Sequence, residues 1–199
     1  MDIAISAIEP RLDPGEKLLW AGQPKQGVRL QPQDVFLIPF SLFWGGFAFV
    51  WETIAILGVL GFLSPHHNGG APEAMIMPIF GIPFVLIGLY LIVGRFFYDA
   101  ASRRKTFYAV TDRRAIILKE MWSINVMSYD FYSLGTLNLT ERADGSGAIL
   151  FGNSSPFSML STAGWPGMGR YTVPGFYLLP DAKNVYNFIR QAQSQARER

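Results

Sequence analysis

"SRRKTFYAVTDRRAIIL", residues 102–118, is the stretch that decides the fold of this chain. After three basic residues it alternates in the manner of a strand, turns at Asp112–Arg113, and alternates again. Such a pattern predicts a β-hairpin. Because the hairpin begins a few residues after one of the most apolar parts of the chain, the sequence predicts a β module that starts where a membrane-like segment ends.

Two apolar runs precede this hairpin, at residues 35–63 and 74–97. Each is longer than the roughly 20 apolar residues that a membrane-spanning helix needs. Only 16% of the 199 residues are charged, against about a quarter in an ordinary soluble domain. Since "SPHHNGGAPE" between the runs is full of helix breakers, we predict a transmembrane helical hairpin over residues 35–98 with an outer loop at 64–73.

Prolines and glycines within the two runs predict how the helices are shaped and packed. Pro78 and Pro83 are expected to bend the second helix in its first half. Small residues allow two membrane helices to approach closely, although they specify no particular face here. These residues are Gly45, Gly46, Ala48, Gly58 and Gly61 in the first run and Gly81 and Gly88 in the second.

Basic residues are confined to the two flanks of the predicted hairpin. The N-terminal arm, residues 1–34, carries four, the chain after the second run carries "SRRK", and none lies between Arg29 and Arg95. By the positive-inside rule, both termini are expected in the cytoplasm and the loop at 64–73 on the opposite side. The chain is therefore expected to cross a membrane twice, with both flanks of the hairpin on the cytoplasmic side.

The chain from residue 99 to 199 is predicted to form a cytoplasmic α+β module. Short strands follow one another from Thr106, with a strong hairpin signal at Asp144–Gly145. A helix over 181–195 closes the module, with Asp181 as its N-cap. The segment "EKLLWAG" before the membrane runs either supplies a further strand, for about seven in all, or remains a loose arm with Trp20 at the membrane interface.

Three motifs resemble those of the bacterial pleckstrin-homology (PH) membrane proteins. They are "GEKLLWAGQPKQG" before the apolar runs, "YAVTDRRAIIL" after them, and the later "ERADGSGAILFG" followed by "DAKNVYNFI". The resemblance covers the chain from Gly15 to about Arg190. It implies an antiparallel β-barrel or sandwich capped by a C-terminal helix, at the inner membrane. It implies no established activity, ligand or catalytic residue.

Glu52 is the most unusual residue of the first apolar run. An ionisable group inside a membrane span is costly and is a functional hypothesis by default. The alternative is a position near the outer interface beside Trp51, or a role in helix pairing. His66 and His67 in the outer loop are adjacent to each other and do not predict a metal site, since no cysteine and no further histidine accompanies them.

Basic residues at the start of the module are candidate contacts for lipid headgroups. Arg103, Arg104 and Lys105 follow the second run directly, and an anionic leaflet attracts such residues. The simpler interpretation is that they only fix the membrane topology. Arg113 and Arg114, at the hairpin turn, are interpreted as solvated turn residues rather than as a phosphoinositide site.

The segment 153–175 is unusually apolar for a loop between strands. Phe157, Leu160 and Trp165 are its candidate contact residues, and they could cap the barrel, lie on the membrane or bind a partner. Long loops of this kind tend to be functional or disordered. We expect capping.

No catalytic constellation, cofactor motif or metal site is recognisable in the sequence. The formal net charge of +2 and the absence of an RNP, zinc-finger or basic-helix pattern argue against nucleic acid. We therefore expect a non-enzymatic, membrane-anchored binding or scaffold protein whose partners are the bilayer and a second protein or another copy of itself. The alternative is a subunit of a membrane transport or ion pathway that uses Glu52.

Overall fold

The structure, a computed structural model, describes residues 2–28, 30, 34–62, 75–152 and 173–198. The chain divides into two compact units. Of the described residues, 2–27, 99–152 and 173–198 form the first, called here the β unit. The remainder, up to Tyr98, form the second, called the helical unit.

Two long apolar helices make up most of the helical unit. The first is α2, Asp34–Val59. The second begins with α3, Ile76–Leu89, passes through a π-helical turn at Tyr90–Gly94, and continues as α4, Arg95–Arg104. Both are long and apolar enough to cross a membrane. Only 11% and 17% of their most apolar windows are buried, which is unlike the core helix of a soluble protein.

These helices confirm the two predicted apolar segments, but their ends differ from the sequence prediction. The first helix ends at Val59 rather than near residue 63. Gly61, two residues later, has a φ of 79°, a conformation that commonly follows the end of a helix. The second continues to Arg104, because residues 95–104 contain neither glycine nor proline. Helix α3 remains α-helical across Pro83, and the π turn that begins at Tyr90 follows it.

Small residues bring α2 and α3 together within the helical unit. Ser41, Gly45 and Ala48 are buried on one face of α2, at the spacing of a single helical stripe. Gly81 and Gly88 are buried on α3. A Cβ atom built on Gly88 would lie 3.0 Å from the Cα atom of Gly45, so the two backbones approach as closely as small residues allow.

Seven strands of the β unit form two antiparallel sheets. The first sheet has the order β1 (Leu18–Gly22), β2 (Thr106–Thr111), β3 (Arg114–Glu120) and β4 (Ile124–Asp130). The second has the order β5 (Leu137–Glu141), β6 (Gly147–Phe151) and β7 (Gly175–Leu179). Between β5 and β6, Gly145 has a φ of 74° and its N–H bonds to the carbonyl of Arg142, as expected at the predicted Asp144–Gly145 turn.

The N-terminal arm is part of the first sheet rather than a loose segment. Strand β1 pairs antiparallel with β2, so that Ala21 lies opposite Ala109 and Gly22 opposite Tyr108. Of the two interpretations left open for "EKLLWAG", the strand is therefore the one observed. The two apolar helices consequently lie, in the order of the chain, between two neighbouring strands of one sheet.

The β unit has a core on each face of the first sheet. One core joins both sheets to the C-terminal helix α5, Ala182–Glu198, and contains the fully buried Phe131, Phe176 and Ile189. On the other face, Ala4 and Ile8 of α1, Asp2–Ile8, pack against residues of the sheet that include Phe107 and Leu118. This helix was not predicted from the sequence, in which residues 1–34 were interpreted as an arm.

The C-terminal helix is capped and amphipathic, as predicted. Asp181 accepts a hydrogen bond from the backbone N–H of Asn184 at 3.2 Å, which satisfies one of the free donors at the helix start. Ala182, Val185 and Ile189 are buried at helical spacing. The helix begins at Ala182 and extends to Glu198, three residues beyond the predicted end.

Candidate functional site

The residues singled out from the sequence fall into three groups in the structure. Glu52 lies in the helical unit, and Arg103, Arg104 and Lys105 lie in the β unit. His66, His67, Phe157, Leu160 and Trp165 lie outside the described residues.

A buried carboxylate organises one end of the first sheet. Glu16 receives two hydrogen bonds from the Arg114 guanidinium, from Nε to Oε1 at 2.9 Å and from Nη2 to Oε2 at 2.8 Å. The Thr111 hydroxyl donates to Oε1 at 2.7 Å, and the backbone N–H of Asp13 donates to Oε2 at 2.8 Å. The side chain of Glu16 is fully buried, and both of its oxygens are satisfied.

This network connects two sequence motifs, "GEKLLW" and "VTDRR". Next to the Glu16 pair, the backbone N–H of Lys17 donates to Asp112 Oδ1 at 2.9 Å, and the Asp112 N–H donates to the carbonyl of Lys17 at 3.0 Å. The two motifs thus hold β1 against the β2–β3 turn. Arg114, interpreted from the sequence as a solvated turn residue, is instead an ion-pair partner of Glu16 and Asp13.

The pKa values of the pair follow from this arrangement. Burial acts to raise the pKa of Glu16, but the hydrogen bonds from Arg114, Asp13 and Thr111 together hold it below its ordinary value. Conversely, the hydrogen bond with Glu16 raises the pKa of Arg114. Both groups are therefore charged at neutral pH. Their arrangement is that of a structural ion pair rather than of an acid–base catalyst.

The three basic residues after the second apolar run have different surroundings. Arg103 is buried, forms an ion pair with Asp99 on the same helix, and donates from Nη2 to the carbonyl of Gly27 at 2.6 Å. Its guanidinium is therefore held inside the β unit. Arg104 and Lys105 are exposed. Of the three predicted headgroup contacts, only these two present their side chains to the surroundings.

An exposed aromatic turn lies beside these two basic residues. The backbone N–H of Glu120, at the end of β3, donates to the carbonyl of Lys105 at 2.8 Å. The turn that follows carries Trp122, which is 88% exposed, and β4 then begins with Ile124, which is 58% exposed. Neither residue was singled out from the sequence. The large apolar side chain of a turn residue, rather than the usual polar one, was the available signal.

Glu52 faces the second helix at Gly81. A Cβ atom built on Gly81 would overlap with Glu52 Oε2, so the absence of a side chain at this glycine leaves room for the carboxylate. Oε2 is buried and has no hydrogen-bond partner among the described residues. An apolar groove of about 290 Å³, lined by residues that include Trp51, Ala55 and Met77, lies alongside on the same pair of helices.

A second buried ion pair connects the two ends of the helical unit's sequence. Asp34, the first residue of α2, pairs with Arg95, the first residue of α4, at 2.8 Å, and both side chains are more than nine-tenths buried. The Arg95 guanidinium also lies 4.5 Å from the centre of the Phe96 ring. This pairing was not predicted, because nothing in a sequence shows that two residues so far apart are neighbours.

The described residues contain no group of three or more His, Asp or Glu side chains that could hold a metal ion. Two features of the described residues therefore remain as candidate sites. One is the exposed turn with Trp122, near Arg104 and Lys105, and the other is the carboxylate of Glu52. A comparison of the chain with family models, with curated proteins and with solved structures finds no match.

Proposed function

We propose that this chain is a non-enzymatic, membrane-anchored binding or scaffold protein of a bacterial inner membrane. Two transmembrane helices fix it in the bilayer, and the β unit is a PH-like module on the cytoplasmic side. The module binds a protein partner, another copy of the chain, or lipid.

The pairing of β1 with β2 is the observation that carries this proposal. One strand comes before the apolar helices and the other after them, yet they are neighbours in one sheet. Two strands in one sheet must lie on the same side of a membrane. An even number of crossings between them meets this requirement, and two apolar helices lie there. The basic residues on both flanks favour the cytoplasm as that side.

The strand content supports a PH-like module. Antiparallel sheets of four and three strands, followed by an amphipathic C-terminal helix, have the element order that the resemblance implies. The motifs that carried the resemblance also contact each other through Glu16 and Arg114. Modules of this kind present surfaces rather than reacting groups, and the polar network around Glu16 is saturated by its own partners.

Affinity capture of the tagged full chain from detergent-solubilised membranes tests the binding role. The matched control is a chain that ends after Lys105, which keeps both apolar helices but lacks β2 to β7. We expect specific partners, or additional copies of the chain, with the full chain alone. Recovery of the same proteins with the control would place binding in the helices and contradict the proposal.

A second candidate function rests on Glu52. A buried carboxylate oxygen without a described partner, within an apolar helix, is a feature of proton and ion pathways. Under this alternative the chain is a subunit of a membrane transport or ion pathway.

Glu52→Gln separates the two functions. The binding role predicts that partner capture is unchanged, since the amide keeps the size of the carboxyl group. The transport role predicts that ion or proton flux into vesicles containing the full chain is lost while the chain remains folded. If vesicles that contain the chain with Glu52 intact show no ion or proton flux, the transport role is contradicted.

A further inference from the structure

The end of the first sheet at which β2 begins carries an exposed apolar turn and a set of basic residues. Thr106 lies opposite Lys119, and Glu120 lies opposite Ile124, so the start of β2, the end of β3 and the start of β4 are at one end of the sheet. The turn with Trp122 projects from this end. Arg104 and Lys105 immediately precede β2, and the carbonyl of Lys105 is bonded to the Glu120 N–H.

We infer that this end of the sheet is a membrane-surface site, in which Trp122 and Ile124 enter the interfacial layer while Arg104 and Lys105 contact anionic headgroups. The inference deepens the proposed function, on which it rests, by naming the surface of the β unit that meets lipid. It concerns the chemistry shared by anionic lipids and does not require a specific headgroup.

Chain length fixes how far this site can be from the bilayer. The helix of the second apolar run continues without a break to Arg104, six residues after Tyr98. Six helical residues rise about 9 Å, and the headgroup layer on each side of a bilayer is about 5–8 Å thick. Any tilt of the helix shortens the distance. This length of chain is short enough for Arg104 and Lys105 to reach the headgroups.

The composition of the site fits this occupant better than it fits solvent. Tryptophan is enriched at membrane–water interfaces, where its ring lies at the headgroup level. Arg104 and Lys105 directly precede β2 at this end of the sheet, and Lys119 and Glu120 end β3 there. Lys119 is half-buried, whereas Arg104 and Lys105 are exposed and are the charges that an anionic leaflet would attract.

The same strand supplies a matched control at its other end. Tyr132 follows β4 and is 81% exposed, nearly as much as Trp122. Asp130, at that end of the strand, lies opposite Arg114. From Ile124 to Asp130 the strand extends about 20 Å. Two exposed aromatic residues therefore flank one strand at opposite ends of the sheet. Trp122 is at the end where Arg104 and Lys105 precede β2, whereas Tyr132 is at the end that carries Arg113 and Arg114.

Spin labels on single cysteines test the site in the full chain. The chain has no cysteine, so Trp122→Cys, Tyr132→Cys and Phe47→Cys each give a unique label. Phe47 is exposed on α2 and reports whether the helix is in the bilayer. The proteins are placed in vesicles of phosphatidylcholine and phosphatidylglycerol. Accessibility to oxygen, which concentrates in lipid, and to a water-soluble nickel chelate is then measured.

We expect the label at 122 to show severalfold lower nickel access than the label at 132, with higher oxygen access, and the label at 47 to be fully lipid-like. A water-like label at 122 beside a lipid-like label at 47 would overturn the site while leaving the membrane anchor intact. Low access to both reagents at 122 would show a protein contact and would also overturn it. A water-like label at 47 would contradict the anchor itself.

A second variant tests the basic half of the site. With Arg104→Gln and Lys105→Gln together, the nickel access of the label at 122 should rise in the anionic vesicles. Unchanged access would overturn the assignment of these two residues as headgroup contacts. Because both side chains are exposed, the double variant is expected to fold, and an unchanged circular dichroism spectrum checks this.

Discussion

The two units each contain a buried ion pair between residues distant in sequence, and the two pairs differ in how far their polar atoms are satisfied. In the β unit, both oxygens of Glu16 accept hydrogen bonds, from Arg114, Thr111 and Asp13. In the helical unit, Arg95 pairs with Asp34 through Nη1, while its Nε and Nη2 atoms have no partner among the described residues.

This difference shows that the units are stabilised by different means. The β unit has an aromatic core and a saturated polar network that fixes the position of β1. The helices of the other unit meet through small residues, with Gly45 against Gly88, and contribute few polar contacts. Substitutions that remove buried atoms should therefore be most costly in the β unit, whereas substitutions that add atoms should be most costly between the helices.

The largest effect is expected from Phe176→Ala in the β unit. Phe176 is fully buried and its ring lies 4.7 Å from that of Tyr108 and 5.1 Å from that of Phe151. Truncating a buried phenylalanine costs about 3–5 kcal/mol. Urea unfolding of the full chain in mild detergent, followed by near-ultraviolet circular dichroism, measures it. Tyr132→Ala is the exposed control, and equal effects of the two changes would show that the aromatic cluster is not the core.

Glu16→Gln tests the saturated network. Removing the buried charge leaves the Arg114 guanidinium with only the exposed Asp13 as a counter-ion, and we expect a loss on the order of 3 kcal/mol at neutral pH. The exposed Glu141→Gln is the control and should have little effect. The measurement is the same urea unfolding.

The same variant makes a prediction about acid. Since the pKa of Glu16 is lower in the folded chain than its ordinary value of 4.5, its contribution is complete above that value and is lost as the pH falls through the folded pKa. The stability difference between the original chain and Glu16→Gln should therefore shrink below about pH 4.5. A difference that is constant or grows in acid would contradict the assigned network.

Gly88→Val addresses the opposite case, in which atoms are added between the helices. The new side chain would meet the backbone of Gly45, and overpacking of this kind costs about 1–3 kcal/mol. Gly46→Val is the matched control, because a Cβ atom there has no atom within 4 Å. The unfolding of the full chain by sodium dodecyl sulfate in mixed micelles should separate them. Identical midpoints would mean that Gly88 is not at a helix contact.

The smallest effect is expected at an ion pair on the surface of the β unit. Lys25 Nζ lies 2.8 Å from Asp144 Oδ2, and hydrogen bonds from Lys25 and Ser146 keep the pKa of Asp144 well below its usual range. Lys25→Gln should lower the melting temperature less than Glu16→Gln does, because Asp144 is largely exposed and solvent screens the pair. The difference should fade in high salt. A salt-independent loss would show that Lys25 acts through packing.

Local patterns were sufficient to predict much of the fold from the sequence. Strands β2 and β3 and the Asp144–Gly145 turn follow from alternation and turn chemistry, and the apolar helices from length and composition. The short helix α1 was missed because seven residues are too few for a clear helical period, and its stability comes from packing Ile8 against the sheet.

The candidate sites were less predictable, because they depend on sheet register and burial. Glu16 and Arg114 are 98 residues apart in sequence and meet only because β1 pairs with β2. Arg103 and Arg104 are adjacent in the sequence, yet one is buried against Asp99 and the other is exposed. Trp122 acquires its significance from the Lys105–Glu120 hydrogen bond, which sequence patterns do not reveal.

The most direct test of the central claim, that two membrane crossings are inserted between neighbouring strands of one β unit, is a topology measurement on the full chain. A fluorescent protein that folds only in the cytoplasm is fused before Met1, inserted at Asn68, or fused after Arg199. The account predicts fluorescence from both terminal fusions and none from the fusion at Asn68, with equal amounts of each protein in the membrane. Fluorescence at Asn68, or at only one terminus, would contradict it.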